Sequence, residues 1–323
     1  LAVLPKVKIN GVEYDTHYAS QSSNPNNNSY AYHLDLPITE ELNLPQGAIK
    51  FEVYGYEDKA GNKGATLTNK DITYEQYDFV IYDSNKSEIK VDNLNELGYT
   101  NNGNVTITDN NSFNVVVKIN GEEKHSYSGD KYKRADLSFL GEGKYEIIVT
   151  DAAGNVSTIV FIYDTTLAAR VYSTVDFDGT GITPKVEGNR KTYYVNNGTS
   201  FVFRMQFTEQ LSENPILNVG NKTVELELVE KFVTNEGKYI YQGTVEINEE
   251  DNFADGSLPL ILSNVKDLAG NVTLDEAVLN QTITSNDRTV VIDNTPSTAK
   301  PLYILARDDA SYRLSISDGE YLR

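Results

Sequence analysis

The chain of 323 residues has no cysteine, no tryptophan, one methionine and three histidines. Without cysteine there are no disulfides, thiolate metal sites or cysteine nucleophiles. Small secreted β domains of eukaryotes usually carry disulfides, so a β-rich chain lacking them points to a bacterial surface protein. The histidines, His17, His33 and His125, are scattered, and none lies in a zinc-type spacing. There is no nucleophile elbow and no phosphate-cradling glycine loop. No apolar run approaches the roughly 18 residues of a membrane span. No signal-peptide pattern opens the chain, and both ends read as cuts through a larger protein. Basic residues are also scarce: 28 Lys+Arg against 47 Asp+Glu gives a formal charge of −19. That balance argues against nucleic acid and against an anionic membrane as partners. It favours solubility and, more weakly, divalent cations.

Strand signals fill most of the sequence. FNVVVKI (113–119), KYEIIVT (144–150), STIVFIY (157–163), SFVFRMQF (200–207), TVELELV (223–229) and RTVVIDN (288–294) are rich in β-branched and aromatic residues. Several alternate apolar with polar residues, the period of a half-buried strand. Gly, Asn and Asp clusters separate them, as turns require. ITEELNL (38–44) and INEEDNF (247–253) each suit one helical turn between strands. The expected class is all-β.

One pentapeptide recurs. DKAGN begins at Asp58, DAAGN at Asp151 and DLAGN at Asp267. Each is followed by an apolar strand that runs into Asp83, Asp164 or Asp293. From the Asn to the closing Asp is 21 residues in the first copy (62 to 83), 9 in the second (155 to 164) and 22 in the third (271 to 293). The first and third copies align without a gap at an offset of 209, over 29–62 and 238–271. Tyr30 meets Tyr239, Tyr32 meets Tyr241, and Glu40 and Glu41 meet Glu249 and Glu250. On this alignment the first copy lacks the counterpart of about 167–210, including SFVFRMQF. A sheet without those strands would expose core and edge, unless an upstream segment or another chain supplies them.

The pentapeptide has a physical reading as the loop of a final hairpin. Asp151 can turn its carboxylate onto loop N–H groups, Gly154 suits positive φ, and Asn155 can bond back across the turn. Tyr145, just after Gly143, resembles the tyrosine corner of immunoglobulin-like sandwiches. DxAGN, a strand and then D-T-T or D-N-T-P together resemble the bacterial immunoglobulin-like repeats of Gram-positive surface proteins. The resemblance covers the last two or three strands of each module. The first and third modules depart from it in their longer final segments. It implies tandem immunoglobulin-like β-sandwich modules at 1–83 (N-terminally incomplete), 84–165 and 166–294. The segment 295–323 reads as the start of a further one.

Candidate sites carry two readings each. Asp58, Asp151 and Asp267, with Asp83, Asp164 and Asp293, either bind calcium at the joints or cap turns. DFDGTGITPKVE (176–187) counts as a twelve-residue calcium loop. Asp176, Asp178 and Thr180 stand at positions 1, 3 and 5, Ile182 at 7 gives its carbonyl, and Glu187 closes at 12. Pro184 at position 9 and strand-like flanks favour a plain acidic turn instead. Glu40/Glu41 and Glu249/Glu250 read as solvated turn residues rather than catalytic pairs. The 22 tyrosines suit either a glycan or protein interface or half-buried strands. An internal Lys–Asn isopeptide bond would suit a surface stalk, but the many Lys and Asn residues single out no pair.

The leading expectation is a non-catalytic spacer that presents another domain of the same parent chain. It would sit outside the cell, on the surface or wall of a Gram-positive bacterium. Two alternatives are an adhesin that binds host protein or glycan, and accessory modules at the C-terminal end of a subtilisin-like cell-envelope protease. No cofactor beyond calcium is expected, and no insertion into a membrane.

Overall fold

A computed structural model of the chain describes residues 1–21, 29–71, 80–232, 238–274, 276–277, 288–298, 300–306 and 312–317. Regular structure among them is β-strand in several sheets, interrupted by three-residue 3-10 turns, with no α-helix. The all-β expectation holds. The two helical turns read from sequence appear as Glu40–Leu42 and Glu249–Asp251, and their Glu pairs are exposed. No helix among the described residues is long and apolar enough to cross a membrane.

The chain forms two compact units. The first holds Leu1–Lys90, Asn104–Asp136 and Tyr145–Val160; the second holds Val91–Gly103, Leu137–Lys144 and Phe161–Arg323.

In the first unit one sheet runs Val12–Asp15, Lys6–Ile9, Phe51–Tyr54, Leu67–Thr68. His17–Gln21 pairs Tyr30–His33 as a separate ribbon, and Gly47–Ala48 pairs Ile81–Tyr82. The long strand Asn104–Ile119 is flanked by Glu122–Asp136 and by Gly143–Asp151. Its buried side chains alternate: Val105, Ile107, Phe113, Val115, Val117 and Ile119 are at most 5% exposed. Period-two geometry puts these on one face, opposite Ile147 and Val149. Tyr145 is 1% exposed. Asn120 and Gly121 both take positive φ (52° and 86°), as a two-residue hairpin of type I′ requires. Gly129 lies opposite Phe113, where a Cβ would meet the ring at 2.4 Å.

In the second unit one sheet runs Arg170–Asp176, Ser200–Phe207, Lys238–Glu246, Glu227–Phe232. A second runs Lys185–Glu187, Arg190–Val195, Arg288–Ile292, Gly256–Ser257, and a third Lys222–Glu225, Ile216–Val219, Leu260–Ser263, Glu276–Ala277. Phe201, Phe203, Met205 and Phe207 point from Ser200–Phe207 into a core with Leu217, Tyr241 and Val290. Tyr99–Thr100 pairs in parallel with Ile162 and Tyr163.

The 209-residue offset is visible in three dimensions. Gly47–Ala48 and Phe51–Tyr54 recur as Gly256–Ser257 and Leu260–Ser263, and Glu40–Leu42 recurs as Glu249–Asp251. The sheet around Phe51–Tyr54 repeats its strand order around Leu260–Ser263. The two copies differ in which neighbours their shared strands have among the described residues. Lys238–Glu246 has Ser200–Phe207 beside it; its counterpart Tyr30–His33 pairs only with His17–Gln21 among the described residues. Arg288–Ile292 has Arg190–Val195 beside it; its counterpart Ile81–Tyr82 pairs only with Gly47–Ala48 among the described residues. Core burial differs between the copies: Val290, whose carbonyl accepts from the Leu258 N–H, is 0% exposed, and Val80, at the equivalent place on Ile49, is 62% exposed. A groove of about 840 Å³ opens there, lined by Ile9, Leu44, Ile49 and Phe51 among others.

Candidate functional site: carboxylates at the DxAGN turns

All three DxAGN copies fold identically. The Asp N–H donates to the Asn carbonyl, and the Gly N–H donates back to the Asp carbonyl, at 3.0–3.2 Å. Oδ1 of Asp151 accepts from the N–H groups of Ala153 (2.9 Å) and Asn155 (2.8 Å), while Oδ2 accepts from the Asn155 side-chain amide at 2.8 Å. Asp58 and Asp267 make the same bonds to Asn62 and Asn271. Gly61, Gly154 and Gly270 have φ of 86°, 91° and 92°, where a Cβ is disfavoured. The turn-cap reading is therefore present in the geometry of each copy.

The Asn does more in two copies. Its amide also donates to backbone carbonyls of a segment far upstream in the chain. Asn155 reaches the carbonyls of Asp83 and Asn85, both at 3.1 Å. Asn271 reaches those of Asp164 (3.1 Å) and Thr166 (3.4 Å). Glu142 reinforces the second of these segments, accepting from the N–H and hydroxyl of Thr165 and from the hydroxyl of Thr166.

This contact brings carboxylates together. Asp83, Asp109 and Asp151 offer one oxygen each within 4.8 Å of one another, and so do Asp164, Glu209 and Asp267. Asp151 and Asp267 are 5% and 1% exposed. In the second group burial pushes Asp164 above the usual carboxylate range, with the charges of Asp267 and Glu142 adding to it. Glu209 is raised to about 7, first by burial and then by Asp164, Asp267 and Glu142. By contrast the Asn62 amide holds exposed Asp58 below its ordinary value. Crowded, half-buried carboxylates take up a proton or a hard cation, and calcium accepts such oxygens alongside backbone carbonyls.

Sequence reasoning named Asp83, Asp151, Asp164 and Asp267 but missed Asp109 and Glu209. Neither has a local signal, since each arrives from a strand or loop remote in sequence. Asp293 is exposed, its N–H donates to the Val195 carbonyl at 2.8 Å, and it joins no carboxylate group among the described residues.

The segment 176–187 leaves a strand end. Oδ1 of Asp176 accepts from the Asp178 N–H at 2.9 Å, and Oδ2 pairs with Arg204 at 3.0 Å. The Asp178 N–H, more than the guanidinium, holds Asp176 below its ordinary value. The Thr180 hydroxyl donates to the Phe177 carbonyl at 2.5 Å, and Ile182 packs against the core. Glu187 pairs with Lys185 at 3.0 Å. A cleft of about 380 Å³ beside Asp176 and Asp178 is also lined by Arg204 and Arg288.

No family model and no curated protein matches the chain. Among solved structures it is similar to SGBP-B of the Bacteroides ovatus mixed-linkage glucan utilization locus, in complex with a mixed-linkage heptasaccharide. That similarity covers 93% of this chain and 62% of the other, at 15% identity and a TM-score of 0.17. The chain thus spans less than two thirds of that protein. A TM-score so low establishes no shared fold, and no ligand follows from it.

Proposed function

We propose that the chain is a run of immunoglobulin-like modules from a bacterial cell-surface protein, serving as a non-catalytic spacer that presents another domain of its parent. The observation that carries this reading is the repeated clamp of Asn155 on Asp83 and Asn271 on Asp164. A spacer needs every joint built alike, and one loop type holds the entry segment in both copies. The pentapeptide and the strand that follows it support the immunoglobulin-like assignment, as does the internal repeat of sheet order. The extracellular, Gram-positive setting rests on the absence of cysteine and on the same resemblance.

Single-molecule stretching of the intact chain tests the proposal. A spacer gives discrete unfolding events of module size. A chain that extends smoothly from low force contradicts it. Binding screens against glycan arrays and host matrix proteins address the adhesin reading. The spacer reading expects no saturable glycan or host-protein ligand, and finding one would replace it.

A further inference from the structure

Two histidines that are distant in sequence meet in the first unit. His17 and His33 are directly opposed in the ribbon of His17–Gln21 with Tyr30–His33. Directly opposed residues have Cβ atoms about 4.5–5.5 Å apart, so their side chains stand together. The two imidazole centroids are 4.2 Å apart with planes at 79°. Asp35 follows His33 by two residues, just past the end of the strand Tyr30–His33. Its Oδ2 lies 3.6 Å from Nε2 of His17 and 3.4 Å from Nε2 of His33.

These distances are informative. They exceed the usual N–H···O range of about 2.7–3.2 Å, so the three groups converge without bonding one another directly. Metal bonds of about 2.0–2.2 Å at tetrahedral angles hold two ligand atoms about 3.3–3.6 Å apart. One ligand atom from each residue lies within 4.8 Å of the others. The side chains are 57%, 46% and 84% exposed, so an ion reaches them from solvent.

The fold does not require these residues. The third module builds the same ribbon with the same register and the same bulge, Glu227 facing Gln242 and Leu228 facing Tyr241. Glu227, Gln242 and Thr244 take the places of His17, His33 and Asp35. There Gln242 is occupied by Arg204, at 2.7 Å from its Oε1.

We propose that His17, His33 and Asp35 bind a first-row transition-metal dication of the zinc class. Two imidazole nitrogens and one carboxylate oxygen hold the ion, with the remaining position open to water or an external donor. This nitrogen-rich set selects zinc, copper or nickel over calcium and magnesium, which take oxygen ligands.

Calorimetric titration of the full chain with Zn²⁺, in buffer containing excess Ca²⁺ to occupy oxygen-only sites, tests the proposal. A saturable zinc site is expected, weakened by at least about tenfold in His17→Ala, in His33→Ala and in Asp35→Asn. All three side chains are solvent-exposed, so these variants keep their fold, checked by an unchanged β-type circular dichroism spectrum. Cu²⁺ as a second probe gives an electron paramagnetic resonance signal with two nitrogen couplings, which is lost in His17→Ala/His33→Ala. Zinc affinity equal in wild type and the double variant, or no zinc binding below about millimolar, overturns the proposal.

Discussion

The side-chain amide of Asn155 donates to the backbone carbonyl of Asp83 at 3.1 Å, across 72 residues of chain. The same amide holds the Asp151 carboxylate that shapes its own turn. One residue therefore ties a local loop to a segment about 70 residues upstream. This is the step from a turn motif to tertiary structure.

Replacing Asn155 by Ala removes its bonds to Asp83, Asn85 and Asp151 together. A loss of about 1–3 kcal/mol is expected, since each neutral bond contributes about 0.5–1.5 kcal/mol net and partial solvation compensates. Hydrogen exchange should quicken at the N–H groups around 83–87 and at the 151–155 turn. Unchanged exchange at 83–87 would show that the clamp does not restrain the entry segment.

Gly154→Ala tests the backbone requirement separately. No atom lies within 4 Å of a Cβ built there, so the cost comes from φ of 91° alone. Destabilisation of about 1–2 kcal/mol is expected in denaturant melts. A neutral result would mean that the turn relaxes to negative φ.

The Glu209 carboxyl gives the second unit a pH dependence of known sign. Its proton is held up to about 7 in the folded state, against an ordinary value of 4.5. The folded state thus binds more protons than the unfolded one between those values. The contribution is full below the ordinary value and is lost as pH rises through about 7. Asp164, also raised, acts in the same direction. Melting temperature should fall from pH 5 to pH 8, with a shallower slope in Glu209→Gln. An identical slope in that variant would remove Glu209 as the source.

Phe203→Ala tests the core of the second unit. The ring is 0% exposed and sits among Phe201, Met205 and Tyr241. A loss of about 3–5 kcal/mol is expected in urea unfolding. A loss below about 1 kcal/mol would mean that the core collapses onto the space.

Calcium titration separates the two readings of 176–187. Arg204 engages Asp176 and Lys185 engages Glu187, so no calcium heat assignable to this loop is expected up to about 1 mM. A saturable signal abolished by Asp178→Asn would restore the loop reading.

Much of the fold was legible in the sequence because strand period and turn chemistry act over a few residues. The alternation in FNVVVKI became the burial of Phe113, Val115 and Val117. The 209-residue offset, read from letters alone, recurred as matching strands and turns. The partners Asp109 and Glu209 were not legible, because strand pairing brings each to its carboxylate group from a remote part of the chain, which local patterns do not encode.

By itself the sequence determined the all-β class, the three DxAGN turns and the 209-residue repeat, because short-range sterics and repeat spacing govern each. Only the tertiary structure decided which side chains converge. Asp109 and Glu209 complete the carboxylate groups, and His33 faces His17, because strand register joins residues that no linear spacing connects.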